Sequence, residues 1–188
     1  TTFPKPRSVR QAMEMAMLKY GGNAGRGGHQ LTERTSEQVF AAREEAAAFF
    51  GGKPENTIFC LNCTHALNLA IQGIVQPNDH VIISNLEHNA VLRPVAAMVR
   101  ERGVQCSIAP VSAFRARIRP NTRAIICTLA SNVTGQILPY RELAALCNEH
   151  GICMIADGAQ ACGTLPVQMS DGINILCTAG HKGLYGAT

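Results

Sequence analysis

The sequence predicts an α/β fold in which a mostly parallel sheet lies between two layers of helices, a three-layer α/β/α sandwich. Two observations lead to this prediction. Apolar runs such as HVIIS, RAIICTLA and ICMIA lack the alternation of half-exposed strands, which is typical of strands buried on both faces. These runs alternate with segments of helical periodicity, such as NAVLRPVAAMVRER and YRELAALCNEHG. Alternation of this kind indicates a parallel sheet with crossover helices.

The elements follow in order along the chain. SVRQAMEMAMLKYGG predicts a helix, and GGNAGRGGH is a glycine-rich loop. Residues 32–50 predict a long helix with a Gly-Gly stop. Beyond it we predict strands at TIFCL, HVIIS, VQCSIAPV, RAIICTLA, ICMIA and INILCT, with helices at HALNLAIQGI, NAVLRPVAAMVRER and YRELAALCNEHG. We therefore divide the chain into a helix and loop region, residues 1–31, and a region that holds the sheet, residues 32–188.

The composition indicates a chain with one hydrophobic core and an unusually small share of charged residues. The 188 residues are 46% hydrophobic, enough for one sizeable core, and only 16% are charged. About a quarter is usual, so we expect another domain or subunit to cover part of the surface. A net charge of +4 suits anion binding but does not by itself argue for nucleic acid. We find no secretion signal and no apolar run that could span a bilayer, and we expect the eight cysteines to be reduced in the cytoplasm.

Polar and ionisable residues follow most of the predicted strands. The segments NCTH, NLEHN, SNVTG, DGAQ and AGHK come directly after TIFCL, HVIIS, RAIICTLA, ICMIA and INILCT. In parallel sheets, ligands bind beyond the carboxyl ends of the strands, which all lie at one edge. The sequence therefore predicts a binding site at that edge.

These residues together suggest one cofactor. Thr64 and the amides after it begin a helix, so they can hold an anion. Lys182 could form a Schiff base with a carbonyl. Asp157 could pair with a pyridinium nitrogen, and His88 could stack on an aromatic ring or move protons. A phosphate site, a Schiff-base lysine and a pyridinium carboxylate describe pyridoxal phosphate.

The order of the motifs resembles a known family. ADGAQA is followed by GHK, and EHNAV and SNVTG lie upstream of both. This arrangement is similar to the class V aminotransferase family of pyridoxal-phosphate enzymes, and within it to the cysteine desulfurases. NAGRGGHQLT also resembles the loop that these enzymes carry near the active-site entrance. The resemblance covers nearly the whole chain and implies the large, cofactor-binding domain of that family.

The resemblance also implies roles for individual residues. Lys182 would carry the cofactor as a Schiff base and then shuttle protons, Asp157 would bind the ring nitrogen, and His88 would stack over the ring. The remaining cofactor contacts would be Asn132 and Gln160 near the phenolic oxygen, and Thr64, His65 and His181 at the phosphate. Arg26 and His29 in the glycine-rich loop are candidates for contact with the substrate.

The sequence departs from the family pattern in three ways. Desulfurases usually have an acid where His65 stands and a serine where Ala179 stands, and Thr178 is our candidate for the missing hydroxyl. The family's carboxylate-binding arginine and its sulfur-accepting cysteine would lie beyond Thr188. We therefore expect the chain to be truncated at its carboxyl end, which would leave it without residues that the family uses for activity.

The function that we expect is that of a cysteine desulfurase, which converts L-cysteine to L-alanine and passes the sulfur to a protein thiol outside this chain. One alternative is a transaminase or another amino-acid lyase of the same family. Another is a non-catalytic fragment that only binds cofactor or assembles. The resemblance implies a homodimer, with a sulfur-acceptor protein as a further partner, and we expect neither nucleic acid nor a membrane as a partner.

Several of these residues also have plain structural explanations. Asp157 could form a turn before Gly158, and Asn132 could serve its own turn equally well. His65 and His181 are balanced between phosphate contact and packing. Cys60 and Cys63 have the CxxC spacing, but no second ligand pair lies at a matching distance, so we expect no metal.

Overall fold

The computed structural model describes residues 2–187. They contain five α-helices, α1 (Arg7–Lys19), α2 (Gln30–Phe50), α3 (Cys63–Ile74), α4 (Asn89–Arg102) and α5 (Tyr140–His150). The strands are β1 (His80–Ser84), β2 (Gln105–Ala109), β3 (Thr122–Thr128), β4 (Cys153–Asp157) and β5 (Ile175–Cys177).

The described chain divides into two compact units. The sheet unit is Cys60–Ala179. The helical unit comprises the described residues up to Phe59 together with those from Gly180 onward. The domain boundary between residues 31 and 32 that the sequence suggests stays a prediction.

The sheet unit is built on five parallel strands in the order β2-β1-β3-β4-β5. The predicted mainly parallel sheet is therefore confirmed. The chain runs from β1 outward to β2 and then returns to the other side of β1 for β3. This reversal makes the gap between the carboxyl ends of β1 and β3 the switch point of the sheet, which is where such folds bind ligands.

Both faces of the sheet are covered by apolar packing. On one face, α3 and α4 bury Leu67 and Val91 against strand residues such as Ile83. On the other face, α5 and the segment after β2 bury Leu143 and Phe114. The continuous apolar strands are explained by this double coverage, and the three-layer α/β/α prediction is confirmed.

One predicted strand is wrong. The segment TIFCL, residues 57–61, forms no strand in the structure. Its apolar side chains are exposed, with Ile58 at 67% and Phe59 at 58%. A β-prone sequence forms a strand only where a neighbouring strand can pair with it, and the described sheet contains none at this segment.

The helical unit contains α1 and α2, both predicted from the sequence. No residue of α1 is buried, while α2 buries Thr32, Thr35 and Ala47. The hydroxyl of Thr35 accepts a hydrogen bond from the amide of Gly22 at 3.2 Å, which ties the glycine-rich loop to α2. Among the described helices, none has the length and apolarity needed to cross a membrane.

Candidate active site

Asp157 is the last residue of β4 and is 3% exposed. Its Oδ1 accepts a hydrogen bond from the amide of Ala159 at 2.9 Å. The thiol of Cys63, at the start of α3, donates to the same oxygen at 3.6 Å. Across residues 2–187, Oδ2 of Asp157 has no hydrogen-bond partner. One oxygen of this carboxylate is therefore fixed by the protein, and the other is available to a ligand.

The amino end of α3 lies at the same edge of the sheet unit. Asn62 caps this helix, because its side-chain oxygen accepts a hydrogen bond from the amide of His65 at 2.9 Å. In return, Nδ1 of His65 accepts from the amide of Leu61 at 3.4 Å. His65 therefore takes part in capping. Thr64 is exposed in the first turn, where the helix dipole favours an anion.

His88 caps α4 and shares a groove with Thr64. Its Nδ1 accepts a hydrogen bond from the amide of Ala90 at 3.0 Å. The groove has a volume of about 450 Å³ and lies between α3 and α4, with Asn68 and Arg93 further along it. The structure thus brings together two of the residues that the sequence predicted, one on each helix.

Glu87 is a buried carboxylate that the sequence analysis did not select. Ser84 Oγ donates a hydrogen bond to its Oε1, and the amide of Thr128 donates to the same atom at 2.8 Å. Its Oε2 is buried and has no hydrogen-bond partner in the described part of the chain. Burial raises the pKa of Glu87 from 4.5 to about 7, and the charge of Asp157 acts in the same direction.

Asn132 and Gln160 both lie on exposed turns of the sheet unit. The turn of Asn132 is held by Ser131, whose hydroxyl accepts from the amides of Val133 and Thr134, each at 3.3 Å. The Asn132 side chain forms no hydrogen bond among residues 2–187, so its turn does not depend on it. Contact of Asn132 and Gln160 with a cofactor ring stays a prediction.

Thr178 follows β5 and has a buried hydroxyl next to the thiol of Cys162. The turn after Asp157 packs tightly against this region. A Cβ on Gly158 would lie 2.5 Å from Sγ of Cys162 and 3.3 Å from the carbonyl oxygen of Cys177. Only glycine fits there, so this close approach explains the Asp-Gly pair in physical terms.

Lys182 and His181 belong to the helical unit. The carbonyl of Lys182 accepts hydrogen bonds from Thr2 Oγ1 at 3.0 Å and from the amide of Tyr185 at 2.9 Å. The amide of Gly186 donates to the carbonyl of Gly180 at 2.7 Å, which closes a tight loop around Lys182. Both candidate side chains are half-buried in this loop. Their roles in binding the cofactor stay predictions.

Arg26 and His29 lie near the start of α2 in the helical unit. His29 caps this helix, with Nδ1 accepting from the amide of Thr32 at 3.4 Å and Nε2 lying 3.1 Å from its hydroxyl. Arg26 is exposed, and its amide donates to the carbonyl of Asn23 at 3.3 Å. Contact of either residue with a substrate stays a prediction.

Most of the cysteines lie in the sheet unit's core. Burial raises the pKa of Cys162 to about 11 and those of Cys147 and Cys177 to about 12. Such thiols are poor nucleophiles at neutral pH. In the part of the chain that the structure describes, no three His, Cys, Asp or Glu side chains are placed to hold a metal ion.

The sequence analysis missed Glu87, Cys63 and Thr128 as parts of this edge. Glu87 stands in the strand-end segment NLEHN, so its position was a usable signal. Cys63 was considered only for its CxxC spacing. Its contact with Asp157 joins residues 94 positions apart and has no local signal.

The whole chain, residues 1–188, matches the family model for aminotransferase class V. It is 30% identical to a probable cysteine desulfurase of Mycobacterium leprae, over 100% of this chain and 33% of that protein. It is also 30% identical to human selenocysteine lyase, over 98% of this chain and 50% of the relative. The apo structure of a cysteine desulfurase from Thermococcus onnurineus NA1 superposes with a TM-score of 0.90 at 25% identity, covering 100% of this chain and 50% of that one.

These relatives are longer than the chain, which spans between a third and a half of their length. The match to the family model extends over every residue, so it includes the polar residues at the carboxyl edge of the sheet. The chain belongs to the class V aminotransferase family.

Proposed function

We propose that this chain is the cofactor-binding portion of a pyridoxal-phosphate-dependent cysteine desulfurase, which converts L-cysteine to L-alanine and transfers the sulfur to a protein thiol. The observation that carries the proposal is Asp157, buried at the carboxyl end of β4 with Oδ1 fixed and Oδ2 without a described partner. A carboxylate held in this way suits a cationic nitrogen that arrives with a ligand.

The residues of the sheet unit fit pyridoxal phosphate. Oδ2 of Asp157 is available to a protonated ring nitrogen. The first turn of α3, with Thr64 exposed on it, suits the phosphate. His88 offers a flat aromatic face beside the same groove. When bound, the cofactor supplies an electron sink that weakens bonds at the α and β carbons of an amino acid.

Each residue then has a task that its chemistry supports. Asp157 would keep the ring nitrogen protonated through Oδ2, and His88 would orient the ring by stacking. Lys182 Nζ would hold the cofactor covalently and move a proton at the substrate's α carbon. Asn132 and Gln160 would contact the phenolic oxygen, while His65, His181 and Thr178 would contribute to the phosphate site. Arg26 and His29 would contact the substrate.

We further propose that the protein is a cytoplasmic homodimer. Eight free cysteines suit a reducing compartment. The low charged fraction, 16%, and the exposed apolar side chains of α1, such as Met17 at 78% and Leu18 at 73%, support burial against another copy or domain. The sulfur acceptor would be a separate protein or a segment outside this chain.

A second candidate function is a selenocysteine lyase. The human selenocysteine lyase is as similar to this chain as the desulfurase of Mycobacterium leprae, at 30% identity. The two reactions act on amino acids that differ in one atom, so the same edge of the sheet would serve both. Comparison of kcat/KM for L-cysteine and L-selenocysteine distinguishes them, and release of neither sulfide nor selenide would favour a transaminase or a non-catalytic role.

The first experiment is a visible absorbance spectrum of the purified chain with added pyridoxal phosphate, followed by borohydride reduction and peptide mapping. The chain has no tryptophan, so protein absorbance is low. We expect a yellow adduct fixed on Lys182. The Lys182→Ala variant should lose it, whereas Lys53→Ala, which changes an exposed lysine of the helical unit, should keep it. An adduct spread evenly over the lysines would contradict the proposed cofactor site.

A further inference from the structure

Glu87 spans the switch point of the sheet. It follows β1 in the chain, and its Oε1 accepts hydrogen bonds from Ser84, the last residue of β1, and from the amide of Thr128, the last residue of β3. β1 and β3 are neighbours in the sheet, so this one side chain fastens the turn after β1 to the end of the adjacent strand.

Two residues of the candidate site depend on that connection. His88 is the next residue in the chain and begins α4 as its cap. Thr128 is paired with Asp157 in the register of β3 and β4, and the amide of Leu129 donates to the carbonyl of Asp157 at 2.9 Å. Glu87 therefore lies on a covalent and hydrogen-bonded route between His88 and Asp157.

We propose that Glu87 is a positioning residue of the active site, which holds the turn carrying His88 at a fixed distance from Asp157 and adjusts that turn when it gains or loses a proton. The proposal rests on the proposed function, because it gives His88 and Asp157 a shared cofactor. Glu87 would act on the site through His88 and Thr128, without touching cofactor or substrate itself.

A purely structural carboxylate would have both oxygens satisfied. Oε2 of Glu87 is instead buried without a partner within residues 2–187. In the acid form Oε2 carries a proton, and in the ionised form it carries charge next to Asp157. Oε2 has no described hydrogen-bond partner in either the acid or the ionised form of Glu87. Neither form is therefore strongly preferred, and Glu87 can exchange its proton near neutral pH.

The surroundings support this behaviour. Burial is the main cause that raises the pKa of Glu87 to about 7, and the hydrogen bonds from Ser84 and Thr128 lower it in part. The charged group that acts on it is Asp157 at the end of β4, whose negative charge favours the protonated form of Glu87. The thiol of Cys127 on β3 also lies near Glu87, but burial raises the pKa of this thiol well above its usual value, so it stays neutral and adds no charge.

The test compares Glu87→Gln, which keeps the acceptor Oε1 but cannot ionise, with Glu87→Leu, which removes both properties. Glu142→Gln, a change on the exposed face of α5, is the matched control. The backbone amide resonances of Thr128 and His88 are followed by NMR from pH 5 to pH 9 in the full chain without cofactor. The dissociation constant for pyridoxal phosphate is then measured by absorbance for each protein.

In the wild type and the control, we expect the backbone amides of Thr128 and His88 to shift together with a midpoint near pH 7. Glu87→Gln should abolish that shared transition and bind pyridoxal phosphate within roughly threefold of the wild type. Glu87→Leu should also move both resonances at every pH and weaken binding roughly tenfold or more, as loss of a buried charge-assisted hydrogen bond predicts.

Retention of the shared transition in Glu87→Gln would overturn the proposal, as would unchanged His88 resonances in Glu87→Leu. These resonances are measured without cofactor, so they decide the role of Glu87 even if the wild type binds no pyridoxal phosphate. That second result would contradict only the proposed function. A variant that fails to fold is replaced by Ser84→Ala, which deletes the hydroxyl that donates to Oε1 and should shift the His88 amide in the same direction.

Discussion

At the amino end of the sheet, His80 is fully buried and both of its ring nitrogens are paired, Nδ1 with Thr122 Oγ1 at 2.8 Å and Nε2 with Ser107 Oγ at 2.9 Å. At the carboxyl end, Glu87 and Asp157 are also buried residues. Oε2 of Glu87 is a buried atom without a partner in the described part of the chain, and the hydrogen bonds described for Asp157 all go to its Oδ1. In the same sheet, the buried ionisable group at the amino end has partners for all its polar atoms, and those at the carboxyl end do not.

The two ends of the sheet therefore differ in what their buried ionisable groups do. A buried polar group whose partners are all supplied by the protein contributes to stability and leaves nothing for a ligand. A buried group with an unused atom costs stability and is retained where a ligand or proton completes it. From this difference we expect changes at the amino end to alter stability alone, and we expect the changes that alter binding to lie at the carboxyl end.

The largest effect is expected for His80→Leu, which removes both ring hydrogen bonds and leaves the buried hydroxyl of Ser107 without this partner. Thr122 Oγ1 still accepts from the amide of Arg119. We expect the free energy of unfolding to fall by about 3 kcal/mol, since an unsatisfied buried group costs about 1–3 kcal/mol. Urea unfolding measures this change. His150→Leu, at the half-exposed end of α5, should cost less than about 0.5 kcal/mol. Cofactor binding should be the same in both variants, and a loss of binding in His80→Leu would break the comparison.

The stability of the wild type and of His80→Leu should also differ in its dependence on pH. Burial, aided by the charge of Arg119, lowers the pKa of His80 below 6.5. The folded state therefore binds fewer protons than the unfolded state as pH falls through 6.5, and His80 makes the chain less stable towards acid. His80→Leu should remove this contribution from the stability curve.

The next effect concerns Asp157→Asn at the carboxyl end. The amide removes the negative charge that suits a pyridinium nitrogen, while its oxygen can still accept from the amide of Ala159. We expect binding of pyridoxal phosphate to weaken roughly 50-fold, or by about 2.3 kcal/mol, the range of a hydrogen bond to a charged group. Absorbance titration measures it. Equal affinity in Asp157→Asn and wild type would remove the observation that carries the proposed function.

Glu87→Gln should stabilise the chain at high pH. The pKa of Glu87 is raised from 4.5 to about 7, so its contribution is favourable below pH 4.5 and is lost as pH rises to about 7. Ionisation then costs about 3 kcal/mol, and the unpaired amide of glutamine costs about 1 kcal/mol. We expect a net gain of about 2 kcal/mol at pH 8 and none at pH 4.5, by urea unfolding at both. A gain of equal size at both pH values would show that proton uptake is not its origin.

The smallest effect is expected for Asn62→Ala, which removes the cap of α3. The amide of His65 then loses its acceptor, and a loss of about 1 kcal/mol in stability is usual for such a change. Asn62→Ser should restore most of it. If pyridoxal phosphate binds at this turn, the alanine variant should also bind it more weakly, whereas a change in stability alone would place the phosphate elsewhere.

Much of the fold could be predicted because the strands are continuous apolar runs and the helices have caps and periodicity. RAIICTLA and ICMIA became β3 and β4, and NAVLRPVAAMVRER became α4. TIFCL has an equally β-prone composition and forms no strand, since pairing with a neighbour decides strand formation and the local sequence does not. Helix α3 begins at Cys63 because Asn62 caps it, a local signal that was available.

The positions of some candidate residues were predictable. Polar residues at strand ends predicted that Asp157 and His88 lie at the carboxyl edge of the sheet, and their roles toward a cofactor stay predictions. Glu87 stood beside His88 in the sequence, yet its importance depends on Thr128, which lies 41 residues away. The hydrophobic periodicity around Glu87 and around Thr128 depends on nearby residues only, so it cannot predict this contact.

The sequence by itself determined that strands and helices alternate, that the strands are buried on both faces, and that their ends are polar. These properties follow from residue type and local spacing, which act over a few positions. The tertiary structure decided that β3 lies beside β1, and with it that Thr128 reaches Glu87 and that Cys63 reaches Asp157. Strand order depends on how α3, α4 and α5 cover the two faces, so only the packed chain determines which polar ends meet.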